Sequence, residues 1–171
     1  AAGGVLGKKL ELVAIDTKTD QQACATAARQ LVAQGVVAGI GYGDTTYVLA
    51  AAPLFQNAGI PFLTSGATHP GLPEMVGDFM FLTPFGDDAQ AYAAADFAYN
   101  RLGARTAWVL TDTSMDFTLA LSKFFKERWT KLGGPSAILL EDFFQSGNQD
   151  YSSQIARLRT LKPPPDILFV S

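Results

Sequence analysis

Short apolar runs alternate with longer stretches of helical period along this chain. Leu10–Asp16 (LELVAID), Val36–Ile40 (VVAGI), Ile60–Thr64 (IPFLT), Thr106–Leu110 (TAWVL), Ser136–Leu140 (SAILL) and Asp166–Val170 (DILFV) are nearly continuous in hydrophobicity. That is the signature of strands buried on both faces. Between them, Asp20–Gln34 aligns Ala23, Ala27 and Leu31 on one helical face, and Thr45–Asn57 reads as a second helix. Asp87–Leu102 aligns Tyr92, Ala95, Tyr99 and Leu102. Asp116–Leu132 turns Phe117, Leu121, Phe124 and Leu132 inward and Lys123, Glu127 and Lys131 outward, and Gln149–Leu161 repeats the pattern with Tyr151, Ile155 and Leu158. Strand–helix alternation at this spacing predicts an α/β fold of Rossmann-like parallel sheets flanked by helices. The rhythm breaks once, from Ser65 to Asp87, where Pro70, Pro73 and Pro84 and four glycines punctuate the chain too often for a crossover helix. Only Phe79–Thr83 is strand-like there, and Thr83–Asp87 reads as a passage between two lobes.

Composition narrows the function classes. The 171 residues are 48% hydrophobic and carry a net charge of −3, with no basic block, so nothing marks a nucleic-acid partner. No apolar run reaches the ~18 residues a membrane span needs. One Cys (Cys24) and one His (His69) build neither a disulfide framework nor a Cys/His zinc site, and no cofactor is implied. Ala1–Gly7 has neither the charged start nor the apolar stretch of a signal peptide, a pattern that a processed secreted protein shares. Cys24, on the inner face of its helix, reads as a small core residue.

Three loops concentrate the candidate chemistry. Gly39-Ile40-Gly41-Tyr42-Gly43-Asp44-Thr45-Thr46 lies between a strand and a helix start, where glycines admit a ligand and free N–H groups favour an anion. Its glycines run G-x-G-x-G rather than G-x-G-x-x-G, with no acidic residue some twenty positions on, which argues against a nicotinamide cofactor. A plain turn capped by Asp44 or Thr45 explains it equally well. Thr64-Ser65-Gly66-Ala67-Thr68-His69-Pro70 follows the next strand directly, where open α/β sheets bind ligands. Ser65 or Thr68 with His69 as base is a nucleophilic alternative, but no carboxylate is placed to orient His69. Asp112-Thr113-Ser114-Met115-Asp116 follows a third strand; paired carboxylates suit acid/base work or a metal, and Asp116 also suits a helix cap. Phe143-Phe144 reads as core or hinge packing, or as the lining of a cleft.

Gly3-Gly4-Val5-Leu6-Gly7-Lys8-Lys9-Leu10-Glu11-Leu12-Val13, then Asp16-x-x-x-Asp20 and an Ala-rich helix, resembles the periplasmic binding proteins of ABC transporters. The resemblance is to the leucine/isoleucine/valine- and amide-binding subgroup, with the type I periplasmic-binding fold. Ala58-Gly59-Ile60-Pro61 with Thr64-Ser65-Gly66-Ala67-Thr68 is similar to the family's second motif. Gly147-Asn148-Gln149-Asp150-Tyr151-Ser152 leading to Ile155 and Leu158, then Pro165-Asp166-Ile167, is similar to its third.

The resemblance implies a non-catalytic, extracytoplasmic (periplasmic) protein whose two lobes close on an amino acid or small carboxylated or amide ligand and deliver it to an ABC permease. It divides the chain into part of one lobe (1–83), a crossing (84–87) and most of a second (88–171). By position, Thr45 offers its hydroxyl and N–H to a ligand carboxylate, with Thr46 beside it. Gly66 and Ala67 offer backbone, and Thr68 its hydroxyl, towards carboxylate or ammonium. Gly43, Asp44 and Asp116 depart from the pattern. Gly43 widens the pocket, Asp44 either turns away as a cap or reads a cationic group, and Asp116 falls near a Tyr of relatives. Gln21 replaces a frequent Pro. The resemblance also implies an opening strand and helix ahead of residue 3 and further chain beyond Ser171, so that this chain alone binds ligand weakly or not at all. A sensory domain on the same fold, or an α/β enzyme using Ser65, His69 or Asp112, are the alternatives.

Overall fold

The computed structural model describes residues 3–171. Two three-stranded parallel sheets follow one another along the chain. The first holds β1 (Gly39–Gly41), β2 (Phe62–Thr64) and β3 (Met80–Leu82) in that order, linked by α2 (Thr45–Asn57) and a short α3 (Leu72–Val76), with α1 (Gln21–Ala33) ahead of β1. The second holds β4 (Ala107–Asp112), β5 (Ile138–Phe144) and β6 (Ile167–Val170), with β4 central. It is flanked by α4 (Asp87–Asn100), α5 (Asp116–Gly133) and α6 (Ser152–Thr160). Parallel strands require crossover connections, and helices supply them in both units. The predicted α/β class is what the chain adopts.

Each sheet has its own core. In the first, Cys24 and Ala28 of α1 meet Val48, Ala51, Ala52 and Phe55 of α2 above Phe62 and Met80. Cys24 is wholly buried, as its helix face predicted. β1 opens on Gly39, where no side chain fits: a Cβ would stand 2.7 Å from the Phe62 ring and 2.8 Å from that of Phe55. Gly39→Ala is therefore expected to destabilise the chain by about 1–3 kcal/mol, the usual cost of overpacking, seen as a lowered urea midpoint. In the second core, Phe125 and Trp129 of α5 stack on each other and Phe125 stacks on Phe169 of β6. Asp142, buried in β5, pairs with Arg157 of α6.

Several elements depart from the sequence reading. Leu10–Asp16 is not a strand: residues 9–16 are irregular, and Leu10 and Leu12 are 76% and 90% exposed. A strand needs a partner about 4.8 Å away, and between residues 12–17 and β1 lies a groove of about 340 Å³ lined by both. The first-sheet strand expected at Val36–Ile40 begins only at Gly39, while β5 runs on to Phe144 after a 3₁₀ turn at Pro135–Ala137. The Pro-rich stretch does contain a helix, α3, because Pro73 sits in its first turn, where a missing N–H costs nothing. Leu102 and Ile155 are exposed; Phe124 and Leu132 pack half-buried against the second core as read, and the aromatics of α5 buried most deeply are Phe125 and Trp129. Met115, not Asp116, occupies the N-cap of α5, and the loop before it is organised by Asp112, whose Oδ1 accepts the Ser114 N–H at 2.8 Å.

Candidate functional site

The carboxyl ends of β1 and β2 open into the two loops singled out in the sequence, and hydrogen bonds tie them together. Thr64, fully buried, donates its hydroxyl to the Tyr42 carbonyl at 3.0 Å. The same oxygen accepts the N–H groups of Gly66 at 3.3 Å and Ala67 at 2.9 Å, folding Ser65–Ala67 into a tight turn. Tyr42 holds a left-handed φ of 63°, rare for a side-chain-bearing residue, and its ring stacks on Phe62. Burial pushes its phenol above the ordinary value, so it stays protonated. The turn brings Gly66 against Gly43: a Cβ on Gly66 would lie 2.9 Å from the Gly43 Cα.

From Gly43 the chain enters α2. Asp44 is its N-cap, and Oδ1 accepts the Thr46 N–H at 2.8 Å. The capping alternative for Asp44 therefore holds. Asp44→Ala is expected to lower stability by about 0.5–2 kcal/mol and Asp44→Asn by much less, measured by urea unfolding. Thr45, the first helical residue, is wholly buried, and its Oγ1 has no hydrogen-bond partner among the described residues. Such an orphan beside the unpaired N–H groups of a helix start is costly unless something else satisfies it.

The second loop, which leads on to α3, is hydrogen-bonded to the start of α4. Thr68 donates its hydroxyl to Asp87 Oδ1 at 2.5 Å, and the Asp87 N–H returns to the Thr68 carbonyl at 2.8 Å. Asp87 is wholly buried and its Oδ2 has no partner among the described residues. Burial raises its carboxyl above the ordinary value, the Thr68 hydroxyl and His69 pull it down, and Asp88 and Asp44 push it up. The folded chain therefore holds this proton to higher pH than the unfolded chain does. More protons are bound in the native state just above the ordinary carboxylate range, so stability falls as pH rises through that window. Urea midpoints measured from acid to neutral pH are expected to carry this downward component, and to lose it in Asp87→Asn.

Beyond the Thr68–Asp87 pair, two further contacts join these loops to the second sheet's elements. The Asp116 N–H at the start of α5 reaches Thr46 Oγ1 at 3.2 Å, and the His69 ring lies 6.3 Å from that of Phe124. Gly43, Asp44, Thr45, Thr46, Gly66, Ala67 and Thr68 thus form one neighbourhood, with Asp116 meeting it through its backbone. Ala67 is buried and contributes packing. His69 accepts the Gly71 N–H on Nδ1 at 3.0 Å, so in the neutral ring the proton sits on Nε2. Among the described residues no three of His, Cys, Asp and Glu converge to hold a metal. Sequence reasoning missed Thr64 and Asp87. Thr64 was legible as a threonine opening a small-residue turn, whereas nothing in the sequence marks Asp87 as buried.

A separate cavity of about 440 Å³ lies at the ends of β4 and β5, lined by Thr113, Phe143, Phe144, Gln145, Ser146, Asn148 and Gln154. None of the eight predicted residues lines it. Phe143 is 54% exposed there, so it is cavity wall rather than core.

Strand-end loops that present hydrogen-bonding groups around a helix start are where α/β proteins bind small ligands. Residues 1–170 match the family model described as periplasmic binding protein, and the chain belongs to that family. It is a family of non-enzymatic solute-binding proteins. The chain is 28% identical over 160 residues to an amino acid binding protein of Pseudomonas aeruginosa, covering 93% of this chain and 42% of that one. A leucine binding protein from Thermotoga maritima superposes with a TM-score of 0.88 at 34% identity, over 99% of this chain and 47% of that one. A solute binding protein of an ABC transporter from Rhodopseudomonas palustris, solved with 3,4-dihydroxybenzoic acid, gives a TM-score of 0.80 at 28% identity, over 96% and 44%. The chain thus spans less than half the length of these relatives. No helix among the described residues is long and apolar enough to cross a membrane.

Proposed function

We propose that this chain forms part of an extracytoplasmic solute-binding protein that captures an amino acid or related carboxylate for an ABC permease. Residues 1–83 belong to one lobe and 88–171 to the other, with 84–87 crossing between them, and the ligand sits where Thr45, Gly66 and Thr68 meet the start of α5. The observation that carries the reading is the Thr45 hydroxyl: buried, without a partner, at the start of a 13-residue helix. A carboxylate placed there receives that hydroxyl and the first-turn N–H groups other than that of Thr46, which Asp44 holds, and charge-assisted bonds are the strong ones. Thr46, Gly43, Asp44 and Asp116 frame the opening. Closure would remove the ligand from water and present a distinct shape to the permease. The relatives' greater length supplies further contacts, so this chain alone binds weakly.

A thermal-shift panel of branched-chain, polar and basic amino acids, small amides and aromatic carboxylates tests this. Ligand at 100 times its dissociation constant adds about 2.7 kcal/mol, and each kcal/mol raises the melting point by roughly 2–4 °C at this size. The expected result is a selective rise for one class at millimolar concentration. A flat response across the panel contradicts binding, and micromolar affinity contradicts the weak-binding statement.

A further inference from the structure

The cavity at the ends of β4 and β5 is built from other chemistry than the loops around α2. Its walls carry two aromatic rings, two hydroxyls and three carboxamides, with no charged side chain among the described residues. The acids that flank it in sequence are committed elsewhere: Glu141 to Lys126, the buried Asp142 to Arg157, and Asp150 to the Ser152 N–H at 2.8 Å. The walls are fastened to one another. The Thr113 N–H and hydroxyl both reach the Phe144 carbonyl, at 2.9 and 3.1 Å. The Ser146 N–H reaches Ser114 Oγ at 2.8 Å, and the Asn148 N–H reaches the Gln145 carbonyl at 3.0 Å. Gln154, only 7% exposed, donates Nε2 to the Phe143 carbonyl at 3.1 Å. Walls held this way cost a ligand little ordering. The polar groups they present are mixed in kind. Thr113 keeps its lone pairs, and Asn148, whose Nδ2 donates to the Asp150 carbonyl at 2.8 Å, presents Oδ1. Gln145 and Ser146, both exposed, offer donors and acceptors together.

We infer that this cavity is a second ligand site, for a neutral ring that has one apolar face and hydroxyls along its edge. Its volume of about 440 Å³ lies within the range of small-molecule sites. Phe143, 54% exposed, leaves apolar surface in water that the ligand's apolar face covers. The Phe144 ring, met edge-on by Tyr151 at 5.6 Å, is the second apolar wall. An anion or cation placed here loses hydration without meeting an opposite charge, so the site disfavours both. A hydroxyl both donates and accepts, so it finds a match on carboxamides and hydroxyls in either sense. The loop from Asp112 to Asp116 is the wall between this site and the one at α2: Thr113 lines the cavity, while the Asp116 N–H reaches Thr46. What binds at α2 does not enter the inference. Neutral sugars and neutral phenols share the chemistry it requires.

The test is an amide-resolved NMR titration of the full chain. One arm uses D-glucose, D-galactose and maltose, the other catechol and resorcinol, with D-glucuronate, D-glucosamine and 3,4-dihydroxybenzoate as charged counterparts. At least one neutral ring is expected to give saturable shifts at Thr113, Gln145, Ser146 and Asn148 at millimolar concentration, and to leave Thr45 and Gly66 unmoved. A response to the sugars alone identifies a sugar as the ligand, and a response to the phenols alone identifies a phenol. At the cavity, the charged counterpart is expected to bind about fivefold or more weakly than its neutral partner. Phe143→Ala is expected to weaken the neutral ring about fivefold or more, and Phe143→Trp, which restores an aromatic face, to keep its affinity. Gln145→Ala, on an exposed loop, is expected to weaken it about threefold or more. Titrations in which no neutral ring moves those four amides overturn the inference, as do charged counterparts that bind the cavity as tightly or a Phe143→Ala chain with unchanged affinity. Shifts at Thr45 and Gly66 with L-leucine, present or absent, decide the α2 site alone.

Discussion

Trp129→Ala is expected to lower the stability of the second sheet and its helices by about 3–5 kcal/mol, the cost of removing a large buried aromatic. At this size that is a fall in melting temperature of roughly 6–20 °C. Trp129 is wholly buried, stacks on Phe125 with ring centroids 5.5 Å apart, meets the Tyr99 edge at 5.8 Å and donates its indole N–H to the Ala137 carbonyl at 3.2 Å. Trp129→Phe keeps the stacking and loses the hydrogen bond, so a smaller loss is expected. Both tryptophans, Trp108 and Trp129, lie in this second unit. Near-ultraviolet dichroism and intrinsic fluorescence therefore follow it, while far-ultraviolet dichroism follows both. An unchanged melt would mean that the α5 face does not hold the second core together.

Thr45→Val is expected to move stability and binding in opposite directions. Valine keeps the shape and removes a buried hydroxyl that has no partner, so the ligand-free chain should gain about 1 kcal/mol or more in urea unfolding. Ligand affinity should fall about tenfold or more, since a hydrogen bond to a charged group contributes about 1.5–3 kcal/mol. A residue that only packs would behave otherwise: its isosteric replacement would leave binding unchanged. The opposed signs separate a binding role for Thr45 from a structural one.

The apolar runs of the sequence placed β2, β4 and β6 within two residues: β2 and β4 are the central strands of their sheets, and β6 pairs along β4. The same rule overreached at Leu10–Asp16. Hydrophobic continuity reports that a segment wants burial, not that a partner strand lies beside it, and the groove next to β1 has none among the described residues. Val36–Ile40 slid to Gly39–Gly41, and the need for a bare residue at Gly39 between the Phe55 and Phe62 rings is visible only once the rings are placed. The loops of the site were legible from their glycines and hydroxyls following strands. The hydrogen bond from Thr68 to Asp87 was not, since Asp87 lies nineteen positions away and is brought close by the passage from β3 to α4. Asp116 read as a cap because acids favour helix starts; the structure has it one residue inside, where it still complements the helix dipole.

The central claim is that a small carboxylated ligand docks at the start of α2, between the Gly43–Thr46 and Gly66–Thr68 loops. An amide-resolved NMR titration of this chain with L-leucine, L-isoleucine and L-phenylalanine, repeated with Thr45→Val, tests it most directly. The account predicts saturable shifts at Thr45, Thr46, Gly66 and Thr68 for at least one of the three, with millimolar affinity, weakened about tenfold or more in Thr45→Val. Shifts confined to the cavity around Phe143 and Gln154, or shifts at α2 that Thr45→Val leaves unchanged, would contradict it.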